Sequence, residues 1–105
     1  MASIPNNPAG QDTVDDFMKT RPIQEAGLQF LLVEIDTGLT FARIAQAAQA
    51  NSPRKFERNL QNARKAYDSA LRFRRTSVLE PEQKTGVDSK LEQLKIALRE
   101  LGEEV

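Results

Sequence analysis

The segment from Ile23 to Ala48 constrains the fold most, because as a helix it is apolar over most of its circumference. At about 100° per residue, it leaves one narrow polar stripe, formed by Glu25, Gln29, Asp36, Thr40 and Arg43. One partner helix cannot cover so wide an apolar arc, whereas two further helices, or a second copy of the chain, can. The sequence therefore predicts an all-α fold with this helix, about 22–50, in the middle.

Proline and small polar residues separate two more helical segments. In "NSPRKF" Ser52 suits an N-cap and Pro53 the first helical position, which predicts a second helix over about 53–78. The link is short, so the first two helices form an antiparallel hairpin. We predict a three-helix bundle in which a third helix, about 81–102, joins this hairpin.

The third helix has the clearest periodicity in the chain. Its apolar residues alternate spacings of four and three, as in the a/d seam of a coiled coil, and comprise Val87, Leu91, Leu94, Leu98, Leu101 and Val105. Gly102 ends it. Its start is left open, because both Pro81 and the capping-box pattern Ser89-x-x-Glu92 are suitable, the second implying a break at Gly86.

The N-terminal residues are of a different kind. Residues 1–12 contain prolines, a glycine and amides but almost no apolar surface, which predicts a disordered tail. "TVDDFMKTRP" predicts one helical turn before the bundle. Residues 13–105 are then a single bundle domain, of a length that buries a core without disulfides or metals.

Composition excludes several kinds of chemistry. The chain has no histidine, cysteine or tryptophan, so imidazole catalysis, thiol catalysis and Cys/His zinc sites are ruled out. Glu34 and Asp36 resemble a carboxylate pair, but residues two apart point to opposite sides of a helix. We expect no catalytic residues, no metal and no cofactor. The start lacks a secretory signal and no spanning segment is present, so we expect a cytoplasmic protein.

The second helix is strongly basic, although the net charge of the chain is zero. Five cations share its outer face and form a candidate binding surface: Arg54, Arg58, Lys65, Arg72 and Arg75. Such a face attracts nucleic acid, an acidic protein or an anionic membrane. The alternative, which we favour, is a solvated face that balances acidic neighbours, because no aromatic residues interleave on the ridge.

Glu34 lies in the centre of the apolar arc, on one line with Gly27 and Gly38. The hairpin register places it level with Ala70, one turn from Tyr67 on one side and from Arg74 on the other, and Arg74 is a charge on the inward face of the second helix. A buried carboxylate held by a guanidinium or a phenol is satisfied, so the pattern predicts a buried polar contact that sets the register. The two glycines predict close helix packing or a ligand groove.

"ARKAYDSALRF" (63–73) is similar to the second helix of tetratricopeptide and microtubule-interacting-and-transport hairpins, where small residues recur beside an aromatic residue. The tetratricopeptide first-helix signature is missing and no 34-residue period repeats. The functional hypothesis is a small non-catalytic module that binds protein, either a partner or a second copy. The alternative is a nucleic-acid-binding protein that uses the basic face of the second helix.

Overall fold

The computed structural model describes the backbone of residues 9–105 and the side chains of residues 25–105. That range contains three helices, α1 (Ala9–Ala48), α2 (Pro53–Thr76) and α3 (Pro81–Glu100), and no strand. α1 packs against both α2 and α3, which also contact each other. The predicted all-α three-helix bundle with the first helix in the middle is confirmed.

The start of α1 differs from the prediction. The helix begins at Ala9 and continues through Pro22, where a boundary had been expected. Proline removes one intrahelical donor. However, no glycine occurs between Gln11 and Ala26, so Pro22 is an isolated interruption among residues that tolerate a helix. The predicted tail, residues 1–12, falls mostly on residues 1–8, which lie outside the described part of the chain.

The connection between α1 and α2 is tight. The backbone N–H groups of Asn51 and Ser52 donate to the carbonyl of Ala48 at 3.2 and 2.9 Å. Pro53 occupies the first turn of α2 as predicted, but the side chain of Ser52 forms no capping hydrogen bond. The short link makes the two helices antiparallel neighbours.

α3 begins at Pro81 and continues through Gly86, which settles its start. The capping box is formed by Glu80 and Gln83, and Ser89 lies inside the helix. At the other end Gly102 adopts a left-handed φ of 98°, and the N–H of Glu103 donates to the carbonyl of Leu98 at 3.0 Å.

The core follows the predicted periodicities. Leu31 and Ile35 of α1 are fully buried, as are Leu94 and Leu98 of α3. The other predicted seam residues of α3 are buried, and Val105 packs partly buried against the core. Three of the six buried residues of α2 are alanines (Ala63, Ala66 and Ala70), whose small side chains allow close approach of the helices.

At Gly38 all three helices are in close contact. A Cβ built on this glycine would lie 2.6 Å from Leu94 Cδ2 and 3.1 Å from Ala66 Cβ. Gly27 is less crowded, because its nearest neighbour would be Phe73 Cε2 at 3.6 Å. Gly38 therefore serves close helix packing. This is one of the two interpretations that the sequence left open for the glycines, the other being a ligand groove.

Candidate interaction surface

The five cations predicted as a binding surface form a continuous basic ridge on α2. Arg54, Arg58, Lys65, Arg72 and Arg75 all have exposed side chains. No salt bridge or side-chain hydrogen bond within residues 25–105 involves any of them. The ridge is therefore solvated and is not ion-paired with the acidic residues among those side chains.

The other arginines of α2 behave differently. Arg64 binds Asp68 at 3.2 Å and Glu103 at 2.8 Å, and Arg74 binds both carboxylate oxygens of Asp88 at 2.8 and 3.1 Å. The hydrogen bond to Glu103 raises the pKa of Arg64, and the bond to Asp88 raises the pKa of Arg74, so both remain charged. These pairs connect α2 to α3 and to the C-terminal residues, so the α3 side of α2 is compensated.

The predicted pairing of Glu34 with Arg74 is wrong, because Arg74 binds Asp88 on α3 instead. Tyr67 is buried and Glu34 is half-buried, and no hydrogen bond among the described residues joins them. On the wheel of α2, Arg74 and Tyr67 lie toward the side that faces α3, whereas Glu34 lies on the other flank of the α1–α2 contact. A wheel identifies the inward face, but it does not identify which of two partner helices that face meets.

The pair of Arg74 and Asp88 predicts a measurable coupling. A double-mutant cycle with Arg74→Met and Asp88→Asn, followed by urea unfolding, should give a coupling free energy of about 0.2–1 kcal/mol, typical of an exposed ion pair. The matched control pairs Arg74→Met with Glu34→Gln and should give a coupling near zero. If only the control cycle gave a coupling free energy, Arg74 would pair with Glu34, as the sequence predicted, and not with Asp88.

A second feature was missed by the sequence analysis: α1 has exposed apolar residues, and one of them, Phe30, lies beside the basic ridge. The side chains of Phe30 and Val33 are 46% and 60% exposed. Phe30 packs edge-on against Phe73 of α2, with ring centroids 4.7 Å apart and an interplanar angle of 60°. Both rings, with Ser69, Arg72 and Thr76, line a shallow groove of about 320 Å³. Aromatic residues therefore do accompany the ridge, but one of them comes from another helix.

The sequence contains a signal that could have revealed this groove. Phe30, Thr37 and Ile44 are spaced by seven residues and share one edge of α1. Asn62, Ser69 and Thr76 repeat this spacing on α2, with Arg58, Lys65 and Arg72 just outside them. We call the surface between these two edges the α1–α2 groove.

α3 does not cover the α1–α2 groove. Lys90 of α3 binds Asp36, which lies on a different edge of α1 from Phe30, at 2.7 Å. The contacts of Arg64 and Arg74 place α3 on the opposite side of α2 as well. Within residues 25–105, the groove therefore has two helical walls and no helix above it.

No family model, curated protein or solved structure matches this chain. The proposed function therefore rests on the geometry of the chain itself. Within residues 25–105, no cluster of side chains is suited to a metal ion, and the helices of that part include no apolar run long enough to cross a bilayer.

A small cleft between α1 and α3 is a weaker candidate than the groove. It is lined by Leu39, Arg43, Gln46 and Glu100, among others, and has about 120 Å³. Ligand pockets usually have about 300–1,000 Å³. The cleft therefore accommodates a few water molecules rather than a metabolite, and the α1–α2 groove is the better candidate.

Proposed function

We propose that this chain is a small non-catalytic helical module that binds another protein through the α1–α2 groove. The observation that carries the proposal is the exposure of Phe30 beside Arg72, a cation of the basic ridge that has no salt-bridge partner among the described side chains. The exposed Val33 lies one turn further along α1. Aromatic residues and arginine are enriched where protein interfaces gain most of their binding energy. Exposed apolar surface with a polar rim is typical of such sites.

The chemistry of the groove favours binding over catalysis. Its polar groups are cations, amides, hydroxyls and the half-buried carboxylate of Glu34. Among the described side chains, the Ser69 hydroxyl forms no hydrogen bond with Lys65 or Glu34, so no activated nucleophile is formed. A cytoplasmic location belongs to the proposal, because a chain without cysteine forms no disulfides and needs no oxidising compartment.

Nucleic-acid binding is the second candidate, and the position of Arg72 beside Phe30 favours it, because aromatic rings and arginines together bind single strands. Protein binding is preferred because the apolar edge continues beyond this point, through the exposed Val33 to the half-buried Ile44. Phosphates and sugars would leave that part of the surface unused.

Site-specific photo-crosslinking tests the proposal. A benzoylphenylalanine residue at position 33, introduced in cells that express the chain, should give discrete adducts that proteases destroy and nucleases do not. The same probe at the exposed Glu92 of α3 is the control and should give none. Phe30→Ser should abolish the adducts at position 33.

Two outcomes would contradict protein binding. Adducts that disappear on nuclease treatment would show that the ridge binds nucleic acid, and equal yields at positions 33 and 92 would show that the groove is not a site. A salt titration with random duplex and single strands tests the alternative, because phosphate attraction is strongest at low salt. Absence of binding there would remove it.

A further inference from the structure

We propose that the α1–α2 groove binds an acidic, amphipathic α-helix of a partner protein, which packs as a fourth helix on the bundle. This inference rests on the proposed protein-binding function and names the chemistry of the partner. Three observations support this inference: the shape of the groove, the charge of the groove, and the residues exposed on the other surfaces of the chain.

The shape of the groove fits a helix. Phe30 against Phe73 and Gly38 against Ala66 set the antiparallel register of its walls, so the repeats on both edges advance together. From Phe30 to Ile44 the α1 edge extends over about 21 Å, or four turns of a docked helix. Side chains repeating every seven residues on two walls are the pattern that receives a third helix by knobs-into-holes packing.

The charge of the groove selects an acidic helix. Arg58, Lys65 and Arg72 recur every seven residues on the outer rim of the α2 wall, and each is exposed. None has a salt-bridge partner within the described side chains. Glutamates or aspartates at one heptad position of a docked helix would meet these cations in turn. A basic or neutral helix would leave the rim uncompensated.

Glu34 provides an internal check on this charge argument. It is half-buried on the α1 side of the groove, four residues from both Phe30 and Gly38. Its carboxylate opposes an acidic ligand. The electrostatic model therefore requires Glu34→Gln to tighten binding, whereas loss of any ridge cation must weaken it.

A partner protein fits the groove better than a second copy of the described helices does. The exposed face of α3 carries charges of both signs and one exposed apolar side chain, Ile96, which is 47% exposed and lies one turn from both Glu92 and Glu100. The exposed face of α2 is the basic ridge itself. A single apolar residue covers about one turn, so among residues 25–105 no helix presents an acid-bordered apolar edge as long as the groove, and we assign the acidic helix to another protein.

Peptide binding tests the inference. The probe is a fluorescein-labelled 21-residue helical peptide with leucine at the a and d positions and glutamate at e and g, measured by anisotropy in 0.15 M NaCl. We expect a Kd on the order of 10 µM, typical of a transient helix-in-groove contact. One control peptide carries lysine for glutamate, and a second carries serine for leucine. Neither control should bind.

Variants of the chain locate the site of the peptide. Phe30→Ser and Arg72→Glu should each weaken binding about tenfold or more, and Glu34→Gln should tighten it about twofold to threefold. Lys84→Glu, a charge reversal on the exposed surface of α3, is the matched control and should change nothing. Phe30 and Arg72 are exposed, so circular dichroism should show both variants folded.

Several results would overturn the inference. Equal binding of the lysine peptide, binding of the serine peptide, or no binding of the acidic peptide would each exclude an acidic amphipathic partner. Concentration-dependent dimerisation abolished by Phe30→Ser would assign the groove to a second copy. If crosslinking at position 33 still yields protein adducts while the acidic peptide fails to bind, the proposed function stands and this inference alone falls.

Discussion

Replacing Leu94 by alanine should lower the free energy of unfolding by about 2–5 kcal/mol. Leu94 is 0% exposed and packs against Gly38, whose missing side chain leaves nothing that could move into the cavity. Leu98→Ala should have an effect of the same size, because Leu98 is equally buried. Urea unfolding monitored by circular dichroism provides the measurement.

Gln93→Ala is the control for both substitutions. Its side chain is exposed on α3, so the free energy of unfolding should change by less than about 0.5 kcal/mol. If Leu94→Ala were as harmless as Gln93→Ala, α3 would not pack on the hairpin in solution and the bundle would consist of α1 and α2 alone.

The second large effect is expected at Gly38, where Gly38→Val should destabilise the bundle by about 3 kcal/mol. The added Cβ would lie 2.6 Å from Leu94 Cδ2 and 3.1 Å from Ala66 Cβ. The leucine end is flexible but enclosed, and the alanine can move only with the backbone of α2. Overpacking therefore exceeds the gain in helix propensity, which for glycine to β-branched valine is only about 0.3–0.5 kcal/mol.

Gly86→Ala is the matched control for Gly38, because both glycines lie inside helices. A Cβ at Gly86 would meet nothing within 4 Å, so alanine should raise the free energy of unfolding by about 1 kcal/mol. If Gly38→Val and Gly86→Ala both raised the free energy of unfolding, the helices would not approach closely at Gly38.

A double mutant connects the two large effects. In Gly38→Val with Leu94→Ala, the smaller residue at 94 removes the atom nearest to the new Cβ. The loss of stability should then be smaller than the sum of the two single losses by about 1 kcal/mol or more. Strict additivity would mean that these residues do not contact each other across the α1–α3 interface.

The basic ridge and the groove show how far a sequence predicts a site. The ridge cations were identified from the sequence because they repeat on one face of a single helix, and the structure finds them exposed. Phe30 was not singled out, because an apolar residue on the apolar arc of α1 gives the same sequence pattern whether or not a partner covers it. Its exposure depends on where α3 lies, which no local pattern records.

Glu34 shows the same limit for a polar contact. Periodicity in the sequence predicted that Glu34 lies in a helix and on its inward face, and it predicted the same inward position for Arg74. Arg74 pairs with Asp88 rather than with Glu34 because of the side of the hairpin on which α3 packs, that is, its azimuth around the hairpin. That azimuth arises from the packing of all three helices together.

The sequence by itself determined the helical class, the α1–α2 link at Pro53, the start of α3 to within the two alternatives, and the buried seam from Val87 to Leu101. These features follow from 3.6-residue periodicity, proline and glycine, which act over one or two turns. Only the tertiary structure decided which apolar residues remain exposed, which arginines are paired and where a groove opens. Those properties depend on contacts between residues distant in sequence. Because the apolar arc of α1 is so wide, several arrangements of two partner helices could cover it with the same pattern of apolar residues.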